Sequence, residues 1–284
     1  MTLIDGKALS QKIKDNIKNE VIELEKEGIV PGLAVILVGN DPASETYVNM
    51  KEKSCKEVGF YSIAHKMPDT ITQEEILETI KMINNNPRID GILVQLPLPK
   101  HIDTTAILEA IDPAKDVDGF HPYNVGKLVE NLDSFAACTP VGVMEMFREY
   151  NIDLEGKDVC VVGASNIVGK PMAALLLNAN ATVTVTHIYT KDLASHTKKA
   201  DIVIVGVGVP NLIKEDMVKE GAVVIDIGIN RLEDGRLVGD VDFDNVSKKC
   251  SYITPVPGGV GPMTIAMLMQ NTLKAAKRRH KWKN

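Results

Sequence analysis

Aromatic residues make up only 4% of this 284-residue chain, with a single tryptophan. Any core must therefore be packed from aliphatic side chains. Cysteine is scarce too, with four widely scattered residues, Cys55, Cys138, Cys160 and Cys250. None shows metal-type pairing, and a disulfide framework is not expected in a chain this large, so a reduced cytoplasmic setting is expected. No apolar run reaches the roughly 18 residues needed to span a bilayer, so no membrane association is expected. The first residues, Met1-Thr2-Leu3-Ile4-Asp5-Gly6-Lys7, lack the basic-then-apolar layout of a signal peptide. Positive charge is not in excess; the net charge of -6 argues against a nucleic-acid partner. The basic stretch Lys274 to Lys283 is read as complementing a helix C-terminus rather than binding a polyanion. No group of His, Cys and carboxylates has ligand spacing, so no metal is implied. Internal repeats and low-complexity segments are absent.

What is present is ordinary globular composition, 44% hydrophobic and 25% charged, in a length that suggests two domains. Strand-like and helix-like segments alternate from end to end. Lys7 to Glu27 reads as an amphipathic helix with Leu9, Ile13, Ile17, Val21 and Leu24 on one stripe. Gly32–Val38 and Gly91–Leu96 are continuous apolar runs, as in strands buried on both faces. Asp41-Pro42 looks like an N-cap and first-turn proline for a helix over Ala43–Val58. Further helices are expected over Gln73–Asn84, Asp103–Ile111 and Val141–Tyr150, the last with Thr139 as N-cap. A second rhythm starts near Lys157, with strands at Lys157–Val162, Thr182–Thr186, Ile202–Val205 and Val223–Ile227 and a helix at Pro171–Asn178. The fold class expected is α/β: two α/β domains around a cleft, the second a Rossmann-like doubly wound parallel sheet. Residues 1–140 form the first domain and residues 141–263 the second. The last segment, 264–284, holds a helix over Thr264–Lys277 that is expected to return to the first domain.

Three stretches carry the chemistry. Thr254-Pro255-Val256-Pro257-Gly258-Gly259-Val260-Gly261-Pro262-Met263-Thr264 alternates rigid proline with bare glycine between a strand-like and a helix-like run. Such a loop suits covering a ligand near a helix start. Gly163 to Gly169 is a small-residue turn where a dinucleotide fold places its pyrophosphate, although Ser165 holds the middle glycine position. Alone it fits a plain βα turn equally well; Gly206 and Gly208 after the next strand strengthen the nucleotide reading. The strand end Thr186-His187-Ile188-Tyr189-Thr190 carries no carboxylate to hold a ribose, and Lys191 is nearby, so NADP is expected in preference to NAD. In the first half, Ser44, Tyr47 and Lys51 share one helix face by spacing. Gln95 is the one polar side chain closing an apolar strand. Lys115-Asp116-Val117-Asp118-Gly119-Phe120-His121-Pro122 is a polar turn in which one carboxylate can cap structure and the other face a ligand.

These segments together resemble the bifunctional methylenetetrahydrofolate dehydrogenase/methenyltetrahydrofolate cyclohydrolase family. The resemblance covers nearly the whole chain, through Pro42-Ala43-Ser44-x-x-Tyr47-Val48-x-x-Lys51, Val94 to Pro99, Lys115 to Gly119, Cys138-Thr139-Pro140, Ser165 to Pro171, and Pro255 to Thr264. It implies oxidation of methylenetetrahydrofolate with NADP, then hydrolysis of the methenyl product in the same cleft. It implies Lys51 as the central catalytic residue, Tyr47 stacking on folate, Gln95 tuning the lysine and Asp118 holding the pterin. Folate is expected against Ser44, Tyr47, Asp118, Pro257, Gly258 and Gly259. The cofactor is expected against Thr139, Gly163, Ala164, Ser165, Ile167, His187, Thr190, Lys191, Gly206, Ile229 and Thr264. Homodimerisation comes from the resemblance only. Two departures, Ala164 and Ile188 where the family often has basic or hydroxyl residues, bear on the strictness of NADP preference. A short-chain dehydrogenase is disfavoured, because its Tyr-x-x-x-Lys pair follows the nucleotide turn whereas Tyr47 and Lys51 precede it. A non-catalytic nucleotide sensor on the same fold is the rival from another class.

Overall fold

A computed structural model describes residues 1–281; Trp282 and Lys283, the end of the basic run, lie outside the described residues together with Asn284. The first elements are β1 (Thr2–Leu3), α1 (Gly6–Lys26), β2 (Gly32–Val38), α2 (Pro42–Val58), β3 (Tyr61–Met67), α3 (Gln73–Asn84), β4 (Gly91–Val94), α4 (Thr104–Glu109) and α5 (Pro122–Val129). Then come α6 (Cys138–Glu149), β5 (Asp158–Val162), α7 (Gly169–Asn178), β6 (Thr182–Thr186), α8 (Leu193–Thr197), β7 (Ile202–Val205) and β8 (Val223–Asp226). The chain closes with β9 (Asn230–Arg231), β10 (Leu237–Val238), α9 (Phe243–Val246), β11 (Tyr252–Ile253) and α10 (Val260–Arg279). Two compact units result.

One unit comprises Gln11–Lys127, Asp133–Cys138 and the chain from Ile265 on. Its sheet has the order β3-β2-β4, all parallel, with Ile36 paired to both His65 and Val94. Every residue of β2 is buried, as its unbroken apolar run predicts for a strand covered on both faces. Ala34, Ile36, Val38, Ile92 and Val94 pack against Ile76, Ile80 and Ile83 of α3. Thr72 and Glu75 cap α3 reciprocally, which satisfies two otherwise unpaired helix-end donors. At the other end of α3 the Lys115 ammonium donates to the carbonyls of Ile83, Asn84 and Asn86. The Asp41 side chain accepts from the Ser44 amide at 2.8 Å ahead of Pro42, so the expected cap of α2 forms. The half-buried strand β3 was not expected: Tyr61–Met67 interleaves Ser62, His65 and Lys66 with its apolar residues, so no clean run marks it. Four residues of the basic tail are ion-paired, Lys274 and Arg278 with Asp133, Lys277 with Glu20 and Arg279 with Asp90.

The other unit comprises Met1–Ser10, Leu128–Leu132 and Thr139–Thr264. Its sheet has six parallel strands in the order β1-β11-β8-β7-β5-β6. From β5 the chain goes out to β6 and returns to the opposite side at β7, so the topological switch point lies between β5 and β7. Ligands in such sheets bind beyond the strand C-termini at that point. The core is aliphatic, with Val162, Val203, Val205, Ile213, Val224, Val241, Val246 and Ile253 in one cluster. A short antiparallel hairpin, β9-β10, leaves the main sheet after β8. Two boundaries differ from the sequence expectation. α6 starts at Cys138, which puts Thr139 inside the first turn rather than at the cap. α10 starts at Val260, so Gly261 and Pro262 belong to its first turn. Proline is tolerated there because a first-turn amide lacks an intrahelical partner anyway. The short elements β1, α5, α8, α9, β9 and β10 carry too few residues for periodicity to mark them.

Candidate active site

In the three-stranded unit, β2 leads directly into α2, and β4 lies on the opposite side of β2 from β3, so a second switch point sits at the ends of β2 and β4. Two side chains meet there. The Lys51 ammonium, from the buried face of α2, donates to the Gln95 amide oxygen at 2.9 Å. The Gln95 amide nitrogen donates to the Leu96 carbonyl at 2.8 Å, which fixes the amide with its oxygen toward the lysine. Ser44 and Lys51 are buried and Tyr47 is half-buried, as expected of one shared helix face, whereas Asn49 and Lys53 are exposed.

Lys51 is only 8% exposed, an unusual condition for a lysine. Burial lowers its pKa, opposed by the nearby Asp118 carboxylate and the Cys138 thiol. Burial pushes the Asp118 carboxyl upward, opposed by the Lys51 charge and by a hydrogen bond from Cys138. The same burial holds the Cys138 thiol protonated, far above its ordinary value. The cluster is therefore an amine with a raised neutral fraction, beside a carboxyl and a neutral thiol. Such an amine can take a proton at pH values where an exposed lysine cannot. Tyr47 presents its ring to the same helix face, and burial raises its phenol pKa.

The two carboxylates of the polar turn separate their roles. Asp116 accepts from the Phe120 and His121 amides and from the Asn124 side chain, so it holds the turn. His121 accepts from the Tyr123 amide through Nδ1 and is structural in the same way. That leaves Asp118 for the cluster. Sequence reasoning missed two members. Cys138 was noticed only as part of a motif. Asn271, on α10, donates to the carbonyls of Val117 and Ala136 and touches the Cys138 sulfur; a lone asparagine in a helix gives no sequence signal.

In the six-stranded unit, the turn after β5 is built by close approach. Gly163 has φ of +117°, and a Cβ on Gly169 would lie 1.9 Å from the Gly163 carbonyl oxygen. A Cβ on Gly206, at the end of β7, would crowd Ile227 at 3.2 Å. Backbone packed this tightly at a switch point leaves a bare cradle that fits a pyrophosphate at the start of α7. Ser165 accepts from the Val168 and Gly169 amides, so its hydroxyl caps the turn in place of the usual middle glycine. Ala164 is half-buried, and Ile167 and Ile229 are exposed. At the end of β6, His187 and Thr190 close a small turn: the His187 amide donates to the Thr190 hydroxyl, and the His187 ring meets Tyr189 edge-on. Ile188 is 92% exposed, and Lys191 is exposed beside it. The first carboxylate after the strand, Asp192, accepts from the Ser195 amide as the cap of α8, so it is spent on the helix. These residues fit a ribose carrying a phosphate better than one held by an acid.

The long Pro/Gly loop packs on the chain's start. Lys7 donates its amide to the Gly258 carbonyl at 3.0 Å, and Gly258 has φ of +101°. A Cβ on Gly6 would fall 1.9 Å from the Gly259 oxygen. Pro257 is exposed and Gly259 buried. The hydroxyls of Thr139 and Thr264 are hydrogen-bonded at 2.8 Å. Among the described residues no cluster of His, Cys, Asp and Glu could hold a metal ion, and no helix is long and apolar enough to cross a membrane.

Known proteins with this sequence pattern and fold are readily found. Residues 4–118 match the model of the tetrahydrofolate dehydrogenase/cyclohydrolase catalytic domain, and residues 137–280 that of the NAD(P)-binding domain of the same name. The chain is 76% identical over 280 residues to the bifunctional protein FolD of Sulfurovum sp. (strain NBC37-1), covering 98% of this chain and 100% of that protein. The crystal structure of the bifunctional FolD methylenetetrahydrofolate dehydrogenase/cyclohydrolase from Campylobacter jejuni superposes with a TM-score of 0.97 at 59% identity, over 98% of this chain and 99% of that one. The methylenetetrahydrofolate dehydrogenase-cyclohydrolase of Trypanosoma brucei, solved with NADP cofactor and inhibitor, gives 0.96 at 41% identity, over 99% of both chains.

Proposed function

The chain belongs to the tetrahydrofolate dehydrogenase/cyclohydrolase family, and we propose that both reactions of that family run over one cluster, Lys51, Tyr47, Gln95 and Asp118. It is a bifunctional enzyme. It oxidises 5,10-methylenetetrahydrofolate to 5,10-methenyltetrahydrofolate with NADP and hydrolyses that product to 10-formyltetrahydrofolate.

The observation that carries the assignment is the buried Lys51 held at 2.9 Å by an oriented Gln95 oxygen. NADP, when bound, supplies the acceptor for a hydride from the methylene carbon. The chain's own residues do the rest. Asp118 accepts hydrogen bonds from pterin N–H groups and so fixes the one-carbon bridge against Lys51. Tyr47 gives the folate ring a flat face and keeps its proton at neutral pH. In hydrolysis, water adds to the amidinium carbon while neutral Lys51 takes a water proton; Lys51 then returns that proton to the leaving nitrogen as the C–N bond breaks, and the hydroxyl proton passes to solvent to leave the formyl group. Gln95 accepts a hydrogen bond from one lysine N–H and thereby aims the nitrogen lone pair. The cradle at Gly163, Ala164, Ser165, Ile167 and Gly206, with Thr139, Ile229 and Thr264, holds the cofactor's pyrophosphate and nicotinamide end. His187, Thr190 and Lys191 hold its adenosine end, and the family resemblance assigns Pro257, Gly258 and Gly259 to folate.

Lys51→Met keeps the chain length and removes the proton carrier. Methenyl hydrolysis should fall by about 10²–10⁴, the usual worth of a positioned acid or base, with the folded state retained by circular dichroism. Wild-type hydrolysis by the folded variant would refute the assignment. The enzyme acts in the cytoplasm as a homodimer. The first is supported by four free, buried cysteines and the second by the family resemblance, and sedimentation of the purified protein tests the dimer. The acidic net charge of -6 supports the absence of a nucleic-acid partner.

A further inference from the structure

Two carboxylates of the six-stranded unit are buried without serving the reaction. Asp226 ends β8 at 3% exposure, and Asp240 follows β10 at 0%. Among the described residues neither is ion-paired; backbone amides satisfy Asp226, and backbone amides with one asparagine side chain satisfy Asp240. Asp226 accepts from the amides of Gly228 at 2.9 Å, Asp240 at 3.0 Å and Val241 at 2.9 Å. Asp240 accepts from the amides of Val207 at 2.6 Å and Gly208 at 3.0 Å through one oxygen. Its other oxygen accepts from the Asn230 side chain at 2.8 Å. At the far end, the Asp226 amide donates to the Thr254 hydroxyl at 2.7 Å, where the Pro/Gly loop begins. The neighbouring glycines exist to admit these carboxylates: a Cβ on Gly239 would lie 1.9 Å from Asp226, and one on Gly228 would lie 2.3 Å from Asp240.

A buried carboxylate is costly unless fully hydrogen-bonded. Two in series, each gripping the backbone of a different loop, form a rigid relay. It runs from Thr254 through Asp226 and Asp240 to the loop after β7. We propose that Asp240 is a positioning residue for the nicotinamide cofactor: it sets the Val207–Gly208 backbone at the switch point, and Asp226 sets Asp240. The proposal rests on the reading that the cofactor lies against the loop at Gly206.

The test uses the whole purified enzyme and two variants, Asp240→Ala and Asp240→Asn. The asparagine keeps the shape and one acceptor oxygen but removes the charge behind both loop bonds. NADP dissociation constants, melting temperature and methenyl hydrolysis are measured for each. Both variants should bind NADP more weakly, Asp240→Ala by at least tenfold and Asp240→Asn by at least threefold. Hydrolysis, whose reacting residues lie in the other unit, should fall by a smaller factor than NADP affinity. Either variant, once shown folded, binding NADP within twofold of wild type overturns the proposal, and a lowered melting temperature with unchanged affinity reduces Asp240 to a structural residue. If Asp240→Ala does not fold, Asp240→Asn decides. Hydrogen exchange of the 203–211 segment in the wild type, with and without NADP, separates the two levels. No protection by NADP would refute the cofactor placement itself; protection with unmoved variant affinities would refute only the positioning role.

Discussion

Asp118→Asn should move the pH dependence of methenyl hydrolysis as well as its rate. Burial and Asp118 pull the Lys51 pKa in opposite directions, burial down and the carboxylate up. An opposite charge nearby favours the charged form of a titrating group. Removing the carboxylate charge leaves burial unopposed, since Cys138 stays a neutral thiol, so the Lys51 pKa falls. A base must be deprotonated to act, so the limb of kcat/KM that rises with pH should shift toward acid. That parameter reports ionisations of the free enzyme, so weaker folate binding lowers the curve without moving it sideways. The height should also fall, by roughly tenfold to a hundredfold, since hydrogen bonds to a charged group contribute about 1.5–3 kcal/mol each. The assay is loss of the methenyl chromophore across pH, with the uncatalysed rate subtracted. A lowered curve whose rising limb stays in place would show that Asp118 binds the pterin but does not set the lysine, or that Lys51 is not the base.

Lys115→Met should strip three carbonyls at the end of α3 of their shared donor, costing about 3 kcal/mol or more; urea unfolding measures it, and a loss below about 1 kcal/mol would contradict the capping role. Lys191→Ala should reduce the preference for NADP over NAD by no more than about fivefold, because an exposed ion pair contributes about 0.2–1 kcal/mol. The effect should vanish at high salt, and a preference indifferent to the substitution at low salt would reassign the phosphate contact. The enzyme should be more stable at pH 5 than at pH 7.5. Burial pushes Asp116 and Asp226 up to about 6. A carboxyl raised in the folded state favours folding fully below its unfolded pKa of about 4, and that contribution is lost as pH rises through 6. The two together amount to on the order of 2–3 kcal/mol between those pH values, and equal urea midpoints would count against it.

The elements that the sequence revealed are those with long, unmixed patterns. Gln73–Asn84 and Gly32–Val38 lie where the apolar spacing put them, because strict periodicity or an unbroken apolar run leaves one arrangement of burial. β3 escaped because an edge strand with one covered neighbour tolerates Ser62 and His65 among its apolar residues. The reacting helix face was legible from the three- and four-residue spacing of Ser44, Tyr47 and Lys51. Distances along the chain hide what Lys51 meets: Gln95 is 44 residues away, and Asn271 lies 133 residues from Cys138. The Asp240 relay was illegible for another reason. Its partners are backbone amides, which every residue carries and no sequence pattern marks; only the glycines that make room for it, Gly228 and Gly239, leave a trace.

The six-stranded sheet ends at β1, the second and third residues of the chain, hydrogen-bonded through Thr2 and Ile4 to Ser251 and Ile253. Synthesis therefore makes this border of the sheet well before its neighbour. At about 5–20 residues per second, roughly 250 residues of elongation leave the border strand waiting on the order of 10–50 s for a partner. During that interval Ile4, fully enclosed in the finished protein, is wetted, and the β11 position does not yet exist. The parallel strands β5 to β8 can pair meanwhile, but the unit closes only when β1 meets the later-made β11. A chain shortened by its first few residues should thus complete every other strand and leave the β11 side open to a neighbouring chain, a route to aggregation that the intact protein seals with two residues.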